Sequence, residues 1–285
     1  MEIKQPKDFF LSEAHAFCLF MLNNQEMADL HGHDFDELVI VRSGSGFHII
    51  NDQVELVYAG DFFFVSANDT HYYESTNNLS LINLLFHKDR HFSFIHNIDV
   101  LLDVVRETTR PSTRELFSLN ESELGKIVGL TEGVTARRDD HFDTVYFSAT
   151  EAAILEIVSL LCRCIAHRKE RNRNSESSGQ KMLNFVRQNY LRNINWDSLC
   201  EDCGMGKRTM FRFFKEMTGT TPEKFQQICC LLKAQEMLRT TDRPIKDVAL
   251  FCGFINASRF TDVYKKRFSR TPSQERQLSF SIVES

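Results

Sequence analysis

The feature that most constrains this chain is a pattern that occurs twice near its carboxyl end. In each copy a short helical stretch leads through a glycine turn into a second helical stretch. The first copy runs through residues 196–202, the turn Cys203-Gly204-Met205-Gly206 and residues 207–215. The second runs through 244–251, the turn Cys252-Gly253-Phe254-Ile255 and 256–268. A small residue stands four positions before the glycine in both, Cys200 before Gly204 and Ala249 before Gly253. Two helices that cross closely need a small side chain at the crossing, and the turn between them needs a residue that tolerates positive φ. An apolar residue on the following helix, Met210 or Phe260, then closes the crossing. Each copy stops at a Thr-Pro pair, Thr221-Pro222 and Thr271-Pro272. These signals predict two helix-turn-helix units joined by a long helix over 223–239.

Charge is divided unevenly along the chain. Residues 180–285 carry 18 Lys+Arg against 11 Asp+Glu, whereas the rest carries 16 against 28, so a net charge of −5 hides a basic module on an acidic one. Only the carboxyl half suits a polyanion. The second helix of each unit is then expected to enter the major groove of double-stranded DNA. Its first-unit candidates are Lys207, Arg208, Thr209, Arg212 and Lys215. Arg208 and Arg212 are four apart and share one helical face, and arginine bonds guanine O6 and N7 in bidentate fashion. In the second unit Asn256, Ser258 and Arg259 open the helix and are expected at base edges, with Lys265 and Lys266 later on phosphate. A helix over 223–239 is about 25 Å long at ~1.5 Å per residue, a plausible strut between grooves ~34 Å apart.

The amino half reads as strands. Residues 37–41 (ELVIV) and 47–51 (FHIIN) flank Ser43-Gly44-Ser45-Gly46, a hairpin signal, and a second turn follows at Asn51-Asp52. Runs at 54–58, 62–66, 71–75 and 79–86 complete a small sandwich or barrel. From 97 to 170 the alternation is lost and helices take over. The stretch 142–167 is apolar around much of its circumference, so either the barrel alone or a partner subunit covers it. Residues 168–180 (RKERNRNSESSGQ) have no apolar residue and read as a linker.

Other classes find little support. The amino terminus lacks the apolar run of a signal peptide, and no apolar stretch approaches the ~20 residues of a membrane span, which suggests a cytoplasmic chain without membrane contact. Of eight cysteines, Cys162, Cys164, Cys200, Cys229 and Cys230 sit in apolar helical runs, and Cys200-Cys203 is a lone CxxC, read as packing in preference to zinc. Neither a GxSxG nucleophile motif nor a phosphate-binding glycine loop is present, so the chain is not expected to be an enzyme; a metal-dependent cupin enzyme or a repressor with an attached DNA-binding domain is the alternative.

Residues 180–275 resemble the AraC/XylS family of transcription regulators, on the stretches LCEDCGMGKRTMFRFFKEMTGTTP and IKDVALFCGFINASRFTDVYKKRFSRTP. The resemblance implies two helix-turn-helix subdomains on a rigid helix, reading successive major grooves on one DNA face. Four positions depart from the family pattern: Cys230 replaces an arginine in the long helix, Ser269 a glycine before the second Thr-Pro, and Glu275 an aromatic residue, while Asp262 puts a negative charge on the second recognition helix.

The amino half resembles the two cupin barrel motifs, through His31-Gly32-His33, Glu37, Gly44, Gly60 and His71, with Ser66 and Asn68 where proline and glycine are usual. In metal cupins the positions matching His31, His33, Glu37 and His71 hold one ion. Three readings stay open. These groups, with Tyr73 and Asn83, hydrogen-bond a small sugar in a pocket; or they hold a divalent metal; or they are rim residues satisfied by turns. Attachment to a DNA-binding module favours the sugar.

Across its whole length the chain is similar to a subgroup of that family, the L-rhamnose-responsive activators of enteric bacteria, on KDFF, HGHDFDELVIV, GSGFHIINDQ, GDFFFVSANDTHYY and INWDSLCEDC. That likeness implies a deoxyhexose effector, a homodimer formed through the helices, and RNA polymerase as a partner. The expected chain is therefore α+β. It has a cupin-like effector barrel over 1–95, dimerisation helices over 96–167, a linker over 168–180 and an all-α DNA-binding domain over 181–285. No cofactor is expected beyond the sugar, and a divalent metal is left open.

Overall fold

A computed structural model of the chain describes residues 2–10, 15–25, 30–109, 117–135, 144–167 and 178–283. The chain divides into two compact units, Met1–Asn51 with Val57–Ser175, and Asp52–Leu56 with Glu176–Ser285. Most of the expected linker, residues 168–177, lies outside the described residues.

The first unit is an eight-stranded sheet with helices on it. Its strands are β1 (Glu2–Lys4), β2 (Phe17–Leu22), β3 (His31–His33), β4 (Asp36–Ile50), β5 (Gln53–Tyr58), β6 (Asp61–Val65), β7 (Thr70–Phe86) and β8 (Phe117–Ser118). The order is β1-β3-β7-β4-β6-β8, with β2 also on β7 and β5 on β4. β1 runs parallel to β3, while β4 pairs antiparallel with β6 and β7.

Two expected breaks are absent. β4 is continuous through Ser43-Gly44-Ser45-Gly46, where the sequence suggested a hairpin, and it absorbs these residues as register shifts against β7. Gly44 has φ +75° and lies so close to β7 that an added Cβ would meet the Asn78 carbonyl oxygen at 2.2 Å. The glycine therefore permits a bulge and a close backbone approach. Likewise β7 runs unbroken where two strands were expected, with Ser75 and Asn78 at positive φ. The hairpin turn between β4 and β5 is Asn51-Asp52, both left-handed, as a two-residue primed turn requires.

Helices α1 (Ile98–Thr108), α2 (Glu121–Thr135) and α3 (Thr144–His167) share one core with the sheet. Leu38, Ile40, Phe62, Phe64, Ile82 and Leu84 meet Leu102, Ile127, Ile154, Ile157 and Leu161 there. The alternate residues Val39, Val41, Phe63, Val65 and Leu81 form a second cluster with Ile50, Val57 and Leu79. Strands buried on both faces read as unbroken apolar runs, which hides their alternation. The Glu151 carboxylate of α3 accepts the backbone N–H groups of Ser93, Phe94 and Ile95, fixing the segment that enters α1. Among the described residues, α3 is the one helix long and apolar enough to cross a bilayer, but its Ala153, Ile154, Ile157, Val158, Leu160 and Leu161 are committed to this core.

The second unit contains α4 (Ser178–Asn189), α5 (Trp196–Asp202), α6 (Lys207–Thr218), α7 (Pro222–Thr240), α8 (Ile245–Phe251), α9 (Ala257–Phe268) and α10 (Pro272–Val283). Asn195 caps α5 by accepting from Asp197 N and Ser198 N, and Asn256 caps α9 by accepting from Arg259 N. Gly204 and Gly253 take positive φ in the two interhelical turns. Thr221 caps α7 and Pro222 occupies its first turn, so a Thr-Pro pair starts a helix as well as ending one. The same device at Thr271-Pro272 begins α10, a helix that the sequence reading did not anticipate.

Candidate functional site

The two recognition helices are built alike. Met210 and Phe214 on α6, and Phe260 and Tyr264 on α9, are fully buried. The opposite faces carry the predicted residues. Lys207, Arg208, Thr209, Arg212 and Lys215 are exposed on α6; Ser258, Arg259, Lys265 and Lys266 are exposed on α9, with Asn256 at its start. Lys207 Nζ lies 2.8 Å from Asp197, and Arg212 Nε lies 3.9 Å from Glu216. Such exposed pairs contribute little and yield readily to phosphate. Asn256 Oδ1 is engaged as the helix cap, which leaves its amide nitrogen to face outward partners. Asp262 is exposed on the same helix.

In the first unit the polar candidates gather inside the sheet. His31, His33, Glu37, His71, Tyr73 and Asn83 are all buried. Strand pairing creates the cluster: β3 sets His31 opposite His71, and β4 sets Val39 opposite Asn83, two residues along from Glu37. Glu37 Oε2 lies 3.4 Å from His33 Nε2 and 3.6 Å from His71 Nε2, and Glu37 Oε1 accepts from Asn83 Nδ2. His33 Nδ1 is 2.6 Å from the Phe35 carbonyl, so that nitrogen carries a proton and donates. One ligand atom each from His33, Glu37 and His71 falls within a 4.8 Å set.

A seventh polar group belongs to this cluster and was missed from sequence. His48, fully buried on β4, places Nε2 3.0 Å from His71 Nδ1 and stacks between Phe63 and Tyr73. The signal for it was faint, a histidine inside the apolar run FHII. Burial, reinforced by His31, holds His48 down to about 3, so it is neutral near pH 7. Burial also depresses His71 well below the usual imidazole range, against the pull of Glu37. For Glu37, burial acts upward, but the adjacent His33 and His71 rings outweigh it and keep the carboxyl below its ordinary value. Tyr73 is driven up by burial and then by Glu37, so its phenol stays protonated. Beside the Glu37 carboxylate, then, burial disfavours the charged forms of His48, His71 and Tyr73. His33 Nε2, His48 Nδ1, His71 Nε2, Tyr73 Oη and Asn83 Oδ1 have no hydrogen-bond partner among the described residues.

A sheet that gathers buried polar groups, coupled in sequence to two DNA-reading helices, defines a ligand-binding transcription regulator. Comparison with known proteins agrees. Residues 19–177 match the family described as AraC-like ligand binding domain, and residues 199–278 match a helix-turn-helix domain family. The HTH-type transcriptional activator RhaS of Mannheimia succiniciproducens is 30% identical over 272 residues, covering 95% of this chain and 97% of the relative. RhaS of Salmonella schwarzengrund is 28% identical over 284 residues, covering 100% of both chains. Among solved structures, an AraC-type regulator from Chromobacterium violaceum is 27% identical, with a TM-score of 0.35 over 38% of this chain and 96% of its own. The chain belongs to the AraC family of DNA-binding transcription regulators.

Proposed function

We propose that this protein is a sugar-responsive transcription activator, with L-rhamnose or a similar deoxyhexose as effector. The observation that carries the reading is the set of unpartnered polar atoms around Glu37. A buried polar atom left unpaired costs ~1–3 kcal/mol, and a ligand with several hydroxyls satisfies acceptors and donors together. Glu37, His33 and Asn83 would accept from hydroxyls, and Tyr73 would donate. The relatives' description as activators supports the direction of control. On this reading the protein acts in the cytoplasm as a homodimer on paired half-sites and contacts RNA polymerase. Exposed Val100 and Val104 on α1 and Leu155 on α3 offer an apolar face for the second copy. The effector works by binding one conformational state better than another, since equal affinity for both shifts nothing.

Thermal denaturation of the full chain with a sugar panel tests this. L-rhamnose at 100 times its dissociation constant is expected to stabilise by ~2.7 kcal/mol, and Glu37→Gln to abolish the shift. If no sugar alters melting, DNA affinity or transcription, the effector reading falls.

A divalent cation is the second reading, favoured by the 4.8 Å grouping of His33, Glu37 and His71. The donor set suits it: imidazole nitrogens and one carboxylate match Zn, Mn, Fe or Ni. His33 fits further, because its donated Nδ1 proton leaves Nε2 facing Glu37. A cation there would supply a Lewis-acid anchor for a ligand's oxygens. Stoichiometric metal in the purified protein, lost in His33→Ala, would favour it.

A further inference from the structure

The second helix-turn-helix unit is closed by a buried carboxylate. Glu275 on α10 is 1% exposed. Its Oε1 accepts from Arg239 Nε of α7 at 2.8 Å. Its Oε2 accepts from Arg270 Nε at 2.6 Å, from Tyr264 Oη of α9 at 3.0 Å and from Gln235 Nε2 of α7 at 3.3 Å. One side chain therefore ties the connecting helix, the recognition helix, its exit turn and the closing helix. Burial acts to raise its pKa, but the Arg239 and Arg270 guanidinium groups outweigh that and hold it ionised.

The tie reaches the DNA-reading face through geometry. Tyr264 is fully buried, with its ring on Phe260 and Phe268 at 5.4 and 4.6 Å. Ring packing of this kind allows some sliding and rolling, whereas a hydroxyl bonded to a fixed carboxylate defines a direction. At 3.6 residues per turn, Arg259 leaves the helix roughly 140° around from Tyr264. Fixing the Tyr264 side of α9 thus fixes where Ser258 and Arg259 point.

We propose that Glu275 is a positioning residue for sequence reading by the second unit: through Tyr264 and Arg270 it sets the angle at which Ser258 and Arg259 meet the bases. Glu275 itself faces inward and touches no DNA. Its effect is on discrimination among sequences, because base contacts demand alignment and phosphate contacts tolerate small rotations.

The test uses the full chain and a duplex that the wild-type protein selects from a random library. Each base pair is changed in turn, and positions are assigned to the first or second unit by their loss of discrimination in Arg208→Ala or Arg259→Ala. Glu275→Gln is expected to reduce discrimination at second-unit positions by at least ~10-fold, the scale of one base contact. First-unit positions and the salt slope should keep their wild-type values. Tyr264→Phe removes only the hydroxyl and should act the same way, by ~3- to 5-fold, the scale of one hydrogen bond. Affinity loss spread evenly over both sets of positions, or undiminished discrimination in both variants, overturns the proposal. If Glu275→Gln unfolds the unit, Tyr264→Phe decides alone: wild-type discrimination at second-unit positions then overturns it.

Discussion

Phe214 and Phe225 in the first helix-turn-helix unit correspond, fifty positions on, to Tyr264 and Glu275 in the second. The two pairs do the same job by different physics. In the first unit the rings of Phe214 and Phe225 meet at 5.7 Å, and Trp196 meets Phe214 edge-on at the same distance. In the second, a phenol hydroxyl meets a carboxylate that two arginines hold in place. From Arg208 and Ser258 onward, in contrast, α6 and α9 follow the same pattern of burial, differing only at the first position, where Lys207 is exposed and Ala257 half-buried. An apolar clamp is strong but non-directional. A charged clamp specifies orientation and depends on protonation. One module thus holds two readers of equal shape, one fixed by packing and the other by a network.

The comparison breaks most readily at its strongest contacts. Phe214→Ala is expected to destabilise the module by ~3–5 kcal/mol, the range for truncating a buried aromatic ring. Urea unfolding followed through Trp196, the single tryptophan, measures it directly. Glu275→Ala strands two guanidinium groups and should lose roughly 3 kcal/mol, the low end for breaking a buried pair, because Arg270 is 37% exposed and can turn to water. A loss under ~1 kcal/mol for Glu275→Ala would reduce the network to a surface ion pair.

Acid sharpens the contrast. The folded carboxyl of Glu275 sits below the ordinary 4.5, chiefly through Arg239 and Arg270 acting against burial. A depressed folded value means that the stabilisation is complete above 4.5 and lost as pH falls through the folded value. The Phe214–Phe225 clamp has nothing to titrate. The stability gap between wild type and Glu275→Gln should therefore be wide at neutral pH and close in acid. Urea midpoints at both conditions check this, and a gap that does not move with pH would mean that the charge of Glu275 is not what ties the helices.

Sequence made the recognition units legible because their signals are local. Gly204 and Gly253 mark turns, and Arg208, Arg212 and Arg259 recur on faces away from the apolar residues, whereas Asn256, expected at base edges, proves to cap α9. What escaped depends on distant partners. Thr271-Pro272 reads as a stop, with no helix expected after it, and nothing near Glu275 announces that Gln235 and Arg239, on α7, converge on it. His48 was hidden because its strand is buried on both faces. The Ser43–Gly46 segment failed for a related reason: its glycines serve the approach of β7, thirty residues away, and no local rule distinguishes that bulge from a turn. The candidates around Glu37 were named chiefly from the resemblance to the cupin motifs, but their mutual distances come only from the pairing of β3, β4 and β7.

The smallest expected effect lies at the exits of the recognition helices. α6 ends on Gly219 with φ 71°, and α9 ends on Ser269 with φ 58°. The left-handed conformation costs a residue with a Cβ roughly 1–2 kcal/mol, and glycine nothing, although glycine gives back part of that through unfolded-chain entropy. Gly219→Ser should therefore lower stability by about 1 kcal/mol, whereas Ser269→Gly should raise it by less than about 1 kcal/mol. Thermal melts of the two single variants test the pair. The sign matters more than the size. If Ser269→Gly destabilises, then Ser269 contributes something to the exit turn beside Arg270 that its backbone strain conceals, and the turn belongs to the Glu275 network after all.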